Sequence, residues 1–287
     1  QGSFLILIQP LSTISLIGCL IILFFLIYFS INTIYVTNTF EHSSLTNFGK
    51  SMTLITSIIC LFVSKKYFEY EKKLFKNFEL IIILLLLILG SFTLITGNNL
   101  IILYLGLELQ SFACYLLVTY SRTYRAVDAG IKYLILGTAG SAFFLLGSVW
   151  FYLYTGLLVL NDIQLLLTFG DNNWIIVIGL TLIAIALFFK LGIAPFHFWV
   201  VDIYKEIPSL ITMILALIPK PALLVVLIRF YYITLYDYIE YWQFIFIIIG
   251  FCSIIWGTFI ALYQDNLKKL VACSAITHMG YILIGLS

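Results

Sequence analysis

The chain contains 287 residues, of which 63% are hydrophobic and only 10% are charged. So little charge excludes a soluble domain of this size and predicts an all-α, polytopic membrane protein. The formal net charge of +2 is too small, and the basic runs are too short, to indicate a nucleic-acid partner.

Apolar runs of about twenty residues predict nine transmembrane helices along the chain. They lie roughly at residues 5–35, 51–64, 79–96, 99–120, 126–156, 174–206, 208–236, 240–263 and 267–286. The sixth is expected to break near Gly192–Pro195, between residues 190 and 195. The polar segments 37–50 and 65–78 are expected to be surface loops or interfacial helices. No run alternates as a β-strand would.

Basic residues concentrate in the loops on one side of the predicted bundle, which we call side A. By the positive-inside rule, side A is the cytoplasm or the mitochondrial matrix, and the N-terminus is expected on the same side. The opposite loops hold acidic residues, with Lys50 as their one clear base. The basic residues of side A are Lys65, Lys66, Lys72, Lys73, Lys76, Arg122, Arg125, Lys205, Lys268 and Lys269.

Three ionisable residues fall near the middle of predicted spans, namely Glu108, Lys190 and Lys220. A charge at that depth costs roughly 2.5–3.5 kcal/mol on insertion scales, so it normally faces a cavity or a partner. Lys190 lies five residues before Pro195, and prolines flank Lys220 on both sides. Because proline frees a backbone carbonyl, such breaks are tolerated in a membrane only where protein or water satisfies the backbone. The pattern predicts a hydrated path for charge.

A carboxyl and a lysine at this depth can exchange protons when their pairing changes. Burial disfavours the charged form of each group, whereas an opposite charge nearby restores it. We expect Glu108 to pair with Lys190, and Lys190 to exchange protons with Lys220 through water. The structural alternative is an ion pair or a hydrogen-bonded neutral carboxyl that only fixes helix packing.

Three further polar residues are candidates for the same path. Lys132 lies early in the fifth span and can extend its side chain towards side A. His197 follows Lys190 by seven residues, so an unbroken helix would place both on one face. With a break, a histidine bonded to freed backbone is an equal alternative. His278 lies inside the last span and can extend a polar path or simply contact a neighbouring helix.

The sequence gives no sign of a cofactor or metal site. The histidines lie on separate segments, and no GxGxxG or GxxxxGK[ST] run occurs. We therefore expect no redox centre, cofactor or metal ion in this chain. The five cysteines match no metal or haem spacing and are expected to be small buried residues, namely Cys19, Cys60, Cys114, Cys252 and Cys273.

Five motifs in order resemble the subunit 2 (NuoN) family of respiratory complex I. They are GLELQSFACYLL, RAVDAGIKYLILG, FFKLGIAPFHFWVVDIY, IPKPALLVVLIR and DNLKKLVACSAITHMGYILIG, and the likeness runs from about residue 79 to the end. The resemblance implies an antiporter-like helix bundle with two inverted repeats of five helices. It divides the chain into N-terminal helices with an interfacial loop (1–78), a first repeat (79–236) and two helices of an incomplete second repeat (237–287).

The resemblance also implies an activity and residue roles. The activity is that of a subunit of NADH:ubiquinone reductase, in which quinone reduction elsewhere in the complex drives proton translocation. By motif, Glu108 matches the family's pairing glutamate and Lys190 the lysine of its broken helix. Lys220 matches the central lysine of the next helix, and Lys132 a further lysine thought to help charge coupling.

The chain departs from the family pattern at both ends. Two predicted helices precede the first repeat, where the family usually has three or none, and the second repeat stops after two. We expect a separate chain to supply the remaining helices, with other membrane-arm subunits of complex I and lipid as further partners. The Phe- and Tyr-rich, Arg-poor composition fits an AT-rich genome. The expected location is the mitochondrial inner membrane, as an organelle-encoded protein, with the bacterial plasma membrane as the alternative.

Two other functions remain open at this point. A subunit of a multi-subunit cation/proton antiporter shares the lysine–glutamate pattern, so the residues alone do not separate it from a complex I subunit. A scaffold would use its buried charges only to fix helix packing. That function predicts that Lys220→Ala impairs assembly and proton pumping in parallel.

Overall fold

The computed structural model describes Gly18 and residues 33–35, 38–71, 74–168 and 173–287. Short strands β1 (Thr33–Tyr35) and β2 (Phe40–His42) precede the helices. The helices are α1 (Ser44–Glu71), α2 (Leu74–Thr96), α3 (Leu100–Thr119), α4 (Tyr124–Thr155), α5 (Leu160–Thr168), α6 (Trp174–Leu191), α7 (Phe198–Glu206), α8 (Ser209–Leu217), α9 (Pro219–Ile228), α10 (Ile239–Leu262) and α11 (Leu267–Leu286). A π-helical segment (Arg229–Thr234) and a 3₁₀ turn (Tyr236–Tyr238) join α9 to α10.

Eight segments of the described chain are long and apolar enough to cross a membrane. They confirm the predicted all-α polytopic class and the last eight of the nine predicted helices. The predicted first span, 5–35, lies almost wholly outside the described residues. The eight segments are Ser44–Ser64, Glu79–Thr96, Leu100–Thr119, Tyr124–Thr155, Trp174–Leu191, Ser209–Thr234, Tyr236–Leu262 and Leu267–Leu286.

The structure adds one short strand pair to the helices, which no alternating pattern in the sequence predicted. Strands β1 and β2 pair in antiparallel register, with Ile34 opposite Glu41, and Asn38 turns the chain at φ 63°. Each strand has only three residues, which is too short for an alternating pattern to be visible in the sequence.

The polar segments on either side of the second span are largely helical, which is one of the two alternatives predicted for them. Ser43 and Thr46 cap the start of α1 reciprocally, since the backbone N–H of Ser43 donates to Thr46 Oγ1 at 2.8 Å and that of Thr46 to Ser43 Oγ at 3.3 Å. This arrangement satisfies N–H groups that have no partner inside the helix. The helix therefore begins at Ser44 and continues to Glu71, so residues 44–50 are not a loop.

The described helices group into two compact units. The first unit comprises the residues up to Tyr120 together with Pro208–Val225, so it holds α1, α2, α3, α8 and the start of α9. Its tightest approach is between α2 and α3, where a Cβ added to Gly90 would lie 2.6 Å from the backbone N of Gln110. Only glycine allows two helices to come this close.

The second unit comprises Ser121–Ile207 and Val226–Ser287. Here α4 packs along α6, and a Cβ on Gly147 would lie 2.9 Å from the carbonyl O of Gly179. Helices α10 and α11 pack in the same way, since a Cβ on Gly257 would lie 3.1 Å from the carbonyl O of Cys273. Small residues thus set the helix spacing in both pairs.

Candidate functional site

The predicted break in the sixth span lies directly after Lys190. Helix α6 ends at Leu191, and Gly192 takes a left-handed conformation with φ 73°. The backbone N–H of Ile193 donates to the carbonyl of Phe188 at 3.0 Å, and that of Gly192 to the carbonyl of Phe189 at 3.1 Å. This C-cap satisfies carbonyls that the interrupted helix leaves without donors.

The sequence suggested that Lys190 lies near the middle of a long helix. In the structure it occupies the last turn of α6. Its side chain is buried, with 9% of the residue exposed. The C-terminal end of a helix carries partial negative charge, so this position favours a cation. The break thus creates an electrostatic environment for Lys190 that a continuous helix would not provide.

Trp199 closes the break from the side of α7. Its indole Nε1–H donates to the carbonyl of Phe189 at 2.9 Å. The ring stacks on Tyr133 of α4, with ring centroids 4.7 Å apart. A backbone carbonyl that loses its helical donor within a membrane must accept a hydrogen bond from protein or water. Here the Trp199 indole N–H donates that bond to the carbonyl of Phe189, the residue immediately before Lys190.

His197 lies just before α7 and is only 3% exposed. Its ring stacks on Phe198 at 4.9 Å, and among the described residues its Nδ1 has no hydrogen-bond partner. Burial lowers the pKa of His197, and a hydrogen bond to the backbone of Pro195 opposes that shift in part. Both predicted roles of His197, on the proton path and as a partner of freed backbone, stay predictions.

The second break separates α8 from α9. Helix α8 ends at Leu217, and α9 begins with Pro219 and Lys220. Pro219 and Pro221 have no N–H, so two α-helical hydrogen bonds are missing around Lys220. Lys220 is half-buried in the first turn of α9, the end at which a helix dipole is unfavourable for a cation.

Gln110 links this break to α2 and α3. Its side-chain Nε2 donates to Ser91 Oγ at 2.9 Å and reaches the carbonyl of Pro219 at 3.4 Å. Gln110 is 3% exposed and Ser91 is fully buried. A buried amide network of this kind holds the carbonyl next to Lys220 within the first unit.

Glu108 is half-buried on a polar stripe of α3. Its carboxylate interacts electrostatically with Tyr104, one turn earlier, and with Tyr115, two turns later, and the Tyr115 hydroxyl bonds to Ser111. The spacing of four, three and four residues keeps these side chains on one face of the helix. Glu108 thus shares one face of α3 with the hydroxyl groups of Tyr104, Ser111 and Tyr115.

The remaining candidates lie on the surface of the second unit. Lys132 Nζ contacts Asp128 Oδ2 at 2.7 Å, with side chains 63% and 51% exposed. Lys132 is thus an exposed, paired lysine, and its extension towards side A stays a prediction. His278 is exposed on α11, where its ring centroid lies 6.1 Å from that of Tyr281.

Two buried charges escaped the prediction. Arg229 is 4% exposed and begins the π-helical segment. Lys50 is 6% exposed, with its Nζ 2.9 Å from His42 Nδ1, although the sequence had placed it in a surface loop or interfacial helix. The position of Arg229 inside an apolar run could have identified it as a buried charge from the sequence. For Lys50 the signal was the Ser–x–x–Thr cap that starts the helix earlier.

The two units divide the predicted site between them. The first contains Glu108 and Lys220, and the second contains Lys132, Lys190, His197 and His278. No group of three or more His, Cys, Asp or Glu side chains suited to a metal ion occurs in the described part of the chain. Cys252 is exposed, contrary to the expectation that every cysteine is buried, because it lies on the outer face of α10. Cys19 lies outside the described residues.

Comparison with known proteins identifies the family. Residues 97–287 match the family model described as NADH:quinone oxidoreductase/Mrp antiporter, transmembrane. The chain is 37% identical over 247 residues to NADH-quinone oxidoreductase subunit N of Pelagibacter ubique, covering 85% of this chain and 51% of that protein. It is 35% identical over 282 residues to the subunit of the same name from Bartonella bacilliformis, covering 96% and 57%. The chain therefore spans about half the length of the curated relatives it matches.

Two solved structures share the fold. Respiratory complex I from Thermus thermophilus with bound aureothin contains a chain with a TM-score of 0.81 and 24% identity, covering 97% of this chain and 58% of that one. The membrane-bound sulfane sulfur reductase, an archaeal respiratory membrane complex, contains one with a TM-score of 0.82 and 22% identity, covering 98% and 59%. At these identities the likeness establishes the antiporter-like architecture.

Proposed function

The chain belongs to the NADH:quinone oxidoreductase/Mrp antiporter transmembrane family, and on that basis we propose that it is a membrane-arm subunit of proton-pumping NADH:ubiquinone oxidoreductase, complex I. The observation that carries the proposal is the placement of a lysine at each of two helix breaks, Lys190 beside Gly192 and Lys220 between two prolines. The relatives named as subunit N of this enzyme support it.

In the proposed mechanism, a proton moves along Glu108, Lys190 and Lys220. When Glu108 pairs with Lys190, its negative charge stabilises the protonated ammonium. When the pair separates, the Lys190 ammonium releases its proton through water to the neutral amine of Lys220. Re-pairing restores the proton affinity of Lys190, which then takes up the next proton.

The other polar residues have supporting roles in this proposal. Lys132 changes the charge balance near the path from its position on α4. His197 can accept and donate a proton, since its buried Nδ1 has no partner among the described residues. His278 extends the path on α11 towards other helices.

The driving energy comes from outside the chain. We propose that partner subunits of complex I carry out NADH oxidation and ubiquinone reduction, while this chain supplies proton transfer without a cofactor of its own. The chain matches about half of each relative.

A cation/proton antiporter subunit is the second candidate, because the matching family model covers both classes. The two classes differ in the activity and the absorbance that are found with the purified protein. A complex I subunit co-purifies with NADH:quinone activity and with flavin and iron–sulfur absorbance, whereas an antiporter subunit confers Na⁺-dependent transport.

A complex I subunit can lie in the mitochondrial inner membrane or in the bacterial plasma membrane. We propose the mitochondrial inner membrane on the grounds of the Phe- and Tyr-rich composition. The bacterial plasma membrane is the alternative that the bacterial relatives favour. Immunogold labelling of source cells separates the two.

Lys220→Ala tests the proposed function directly. In proteoliposomes containing the intact assembly, we expect proton translocation to fall by about 100-fold, the scale of losing a positioned proton-transfer group. Assembly, followed on native gels, should be retained. Lys205→Gln is the matched control, because it removes an exposed lysine that pairs only with Glu206 at 3.4 Å. Parallel loss of assembly and pumping in Lys220→Ala would favour the scaffold function instead.

A further inference from the structure

A charged groove opens on the second unit between α4, α7 and α11. It has a volume of about 400 Å³ and is lined by four basic and three acidic residues. Arg125 and Lys269 lie in the first turns of α4 and α11, and Lys205 lies at the end of α7, all of which are predicted to lie on side A. Leu136 in the fourth turn of α4 and Phe198 at the start of α7 line the groove further from these helix ends. The groove therefore runs from the membrane surface towards the apolar interior.

The acidic residues of the groove already have basic neighbours. Asp128 pairs with Lys132 at 2.7 Å, and Glu206 pairs with Lys205 at 3.4 Å. The charge of Asp202 also acts on Lys132.

Two basic residues of the groove and one acidic residue, Asp202, have no ion pair of their own among the described residues, so the groove carries a net charge of +1. Arg125 and Lys269 line the groove, and neither forms an ion pair within the part of the chain that the structure describes. Both lie in the first turn of a helix, in α4 and α11 respectively. Helix N-termini carry partial positive charge and unpaired N–H groups. The excess positive charge is therefore concentrated at the surface end of the groove, where an anion would be stabilised.

The inner end of the groove has the opposite character. Phe198 is 66% exposed and Leu136 is 40% exposed. Leu136 is one turn of α4 deeper than Lys132, about 6 Å along the helix axis. A ligand that fills this groove has an anionic end at the membrane surface and an apolar end below it.

We propose that the groove binds an anionic phospholipid, with its phosphate between Arg125 and Lys269 and an acyl chain along Leu136 and Phe198. Basic pockets between helices on the cytoplasmic or matrix side suit such headgroups. The groove shares Lys132 with the proposed proton path, but the proposed phosphate contacts, Arg125 and Lys269, have no role in that path.

The test uses the intact assembly after removal of loosely bound lipid by detergent washing. It is titrated with cardiolipin in the same detergent, and tightly bound lipid is counted by native mass spectrometry. Arg125→Gln with Lys269→Gln should weaken binding at one site by about 30-fold, since each basic residue near an anionic surface contributes a factor of roughly five. The charge-conserving pair Arg125→Lys with Lys269→Arg should keep the lipid. So should Arg122→Gln, which removes a charge before α4 but outside the groove.

Three outcomes would overturn the proposal. The first is an equal number of tightly bound lipids in the wild-type assembly and in the double glutamine variant. The second is displacement of the lipid by inorganic phosphate at the same phosphate concentration, which would indicate a site for soluble anions. The third is a polypeptide segment filling the groove in a structure of the intact assembly. Loss of proton pumping plays no part in these outcomes, so the test stands apart from that of the proposed function.

Discussion

Gln110 lies two positions after Glu108 on α3, so the two side chains leave the helix in different directions. Glu108 stays on the half-buried stripe of tyrosines, while Gln110 turns to Ser91 and the carbonyl of Pro219. The uncharged side chain of Gln110 thereby connects α3, which carries Glu108, to the helix break beside Lys220. Its contribution is positional, because it holds backbone next to the lysine.

Replacing Gln110 with leucine should therefore disturb the break without removing any charge. We expect a loss of about 1 kcal/mol in the stability of the assembled protein, the scale of one buried hydrogen bond. Proton translocation should fall while native-gel assembly persists. Gln264→Leu is the control, since that amide lies just past the end of α10 and donates to the carbonyl of Ile260 one turn earlier, at 3.3 Å. Equal thermal midpoints and equal proton pumping in the two variants would show that Gln110 does not hold the backbone next to Lys220 in place.

At the scale of helices, each break follows from local sequence, and each close helix pair follows from small residues. Lys190 and Lys220 were located at breaks from glycine and proline alone, because those residues act through their own backbone. The spans from residue 79 onward were predicted to within a few residues because their apolar runs are long. The early start of α1, the strand pair and the π-helical segment were not predicted, since they depend on caps and contacts that leave weak patterns. The position of Gln110 could not be foreseen because it depends on how closely α2 approaches α3.

Gly90→Ala tests that approach. The added Cβ would lie 2.6 Å from backbone N of Gln110, so α2 and α3 must move apart at a cost of about 1–3 kcal/mol. We expect a lower midpoint in thermal unfolding of the purified assembly. Gly285→Ala is the matched control, because nothing lies within 4 Å of the Cβ it would add. A Gly90→Ala variant as stable as Gly285→Ala would mean that the helices are not held in contact at this point.

At the scale of the whole molecule, the chain presents membrane-spanning helices whose ionisable residues are divided between two compact units. Glu108 and Lys220 belong to the first unit, and Lys190 belongs to the second. The proposed function requires these groups to exchange protons. The central claim is therefore one of coupling between Glu108 and Lys190, which a single substitution cannot isolate.

A double-mutant cycle on proton translocation per electron pair tests this coupling most directly. It uses Glu108→Ala, Lys190→Ala and the combined variant in proteoliposomes, with Glu240→Ala, an exposed carboxylate at the start of α10, as the control. If the two groups act as a pair, each single variant loses about as much pumping as the double, because either change destroys the same interaction. Unchanged pumping in Glu108→Ala, or losses that simply add in the double variant, would contradict the account.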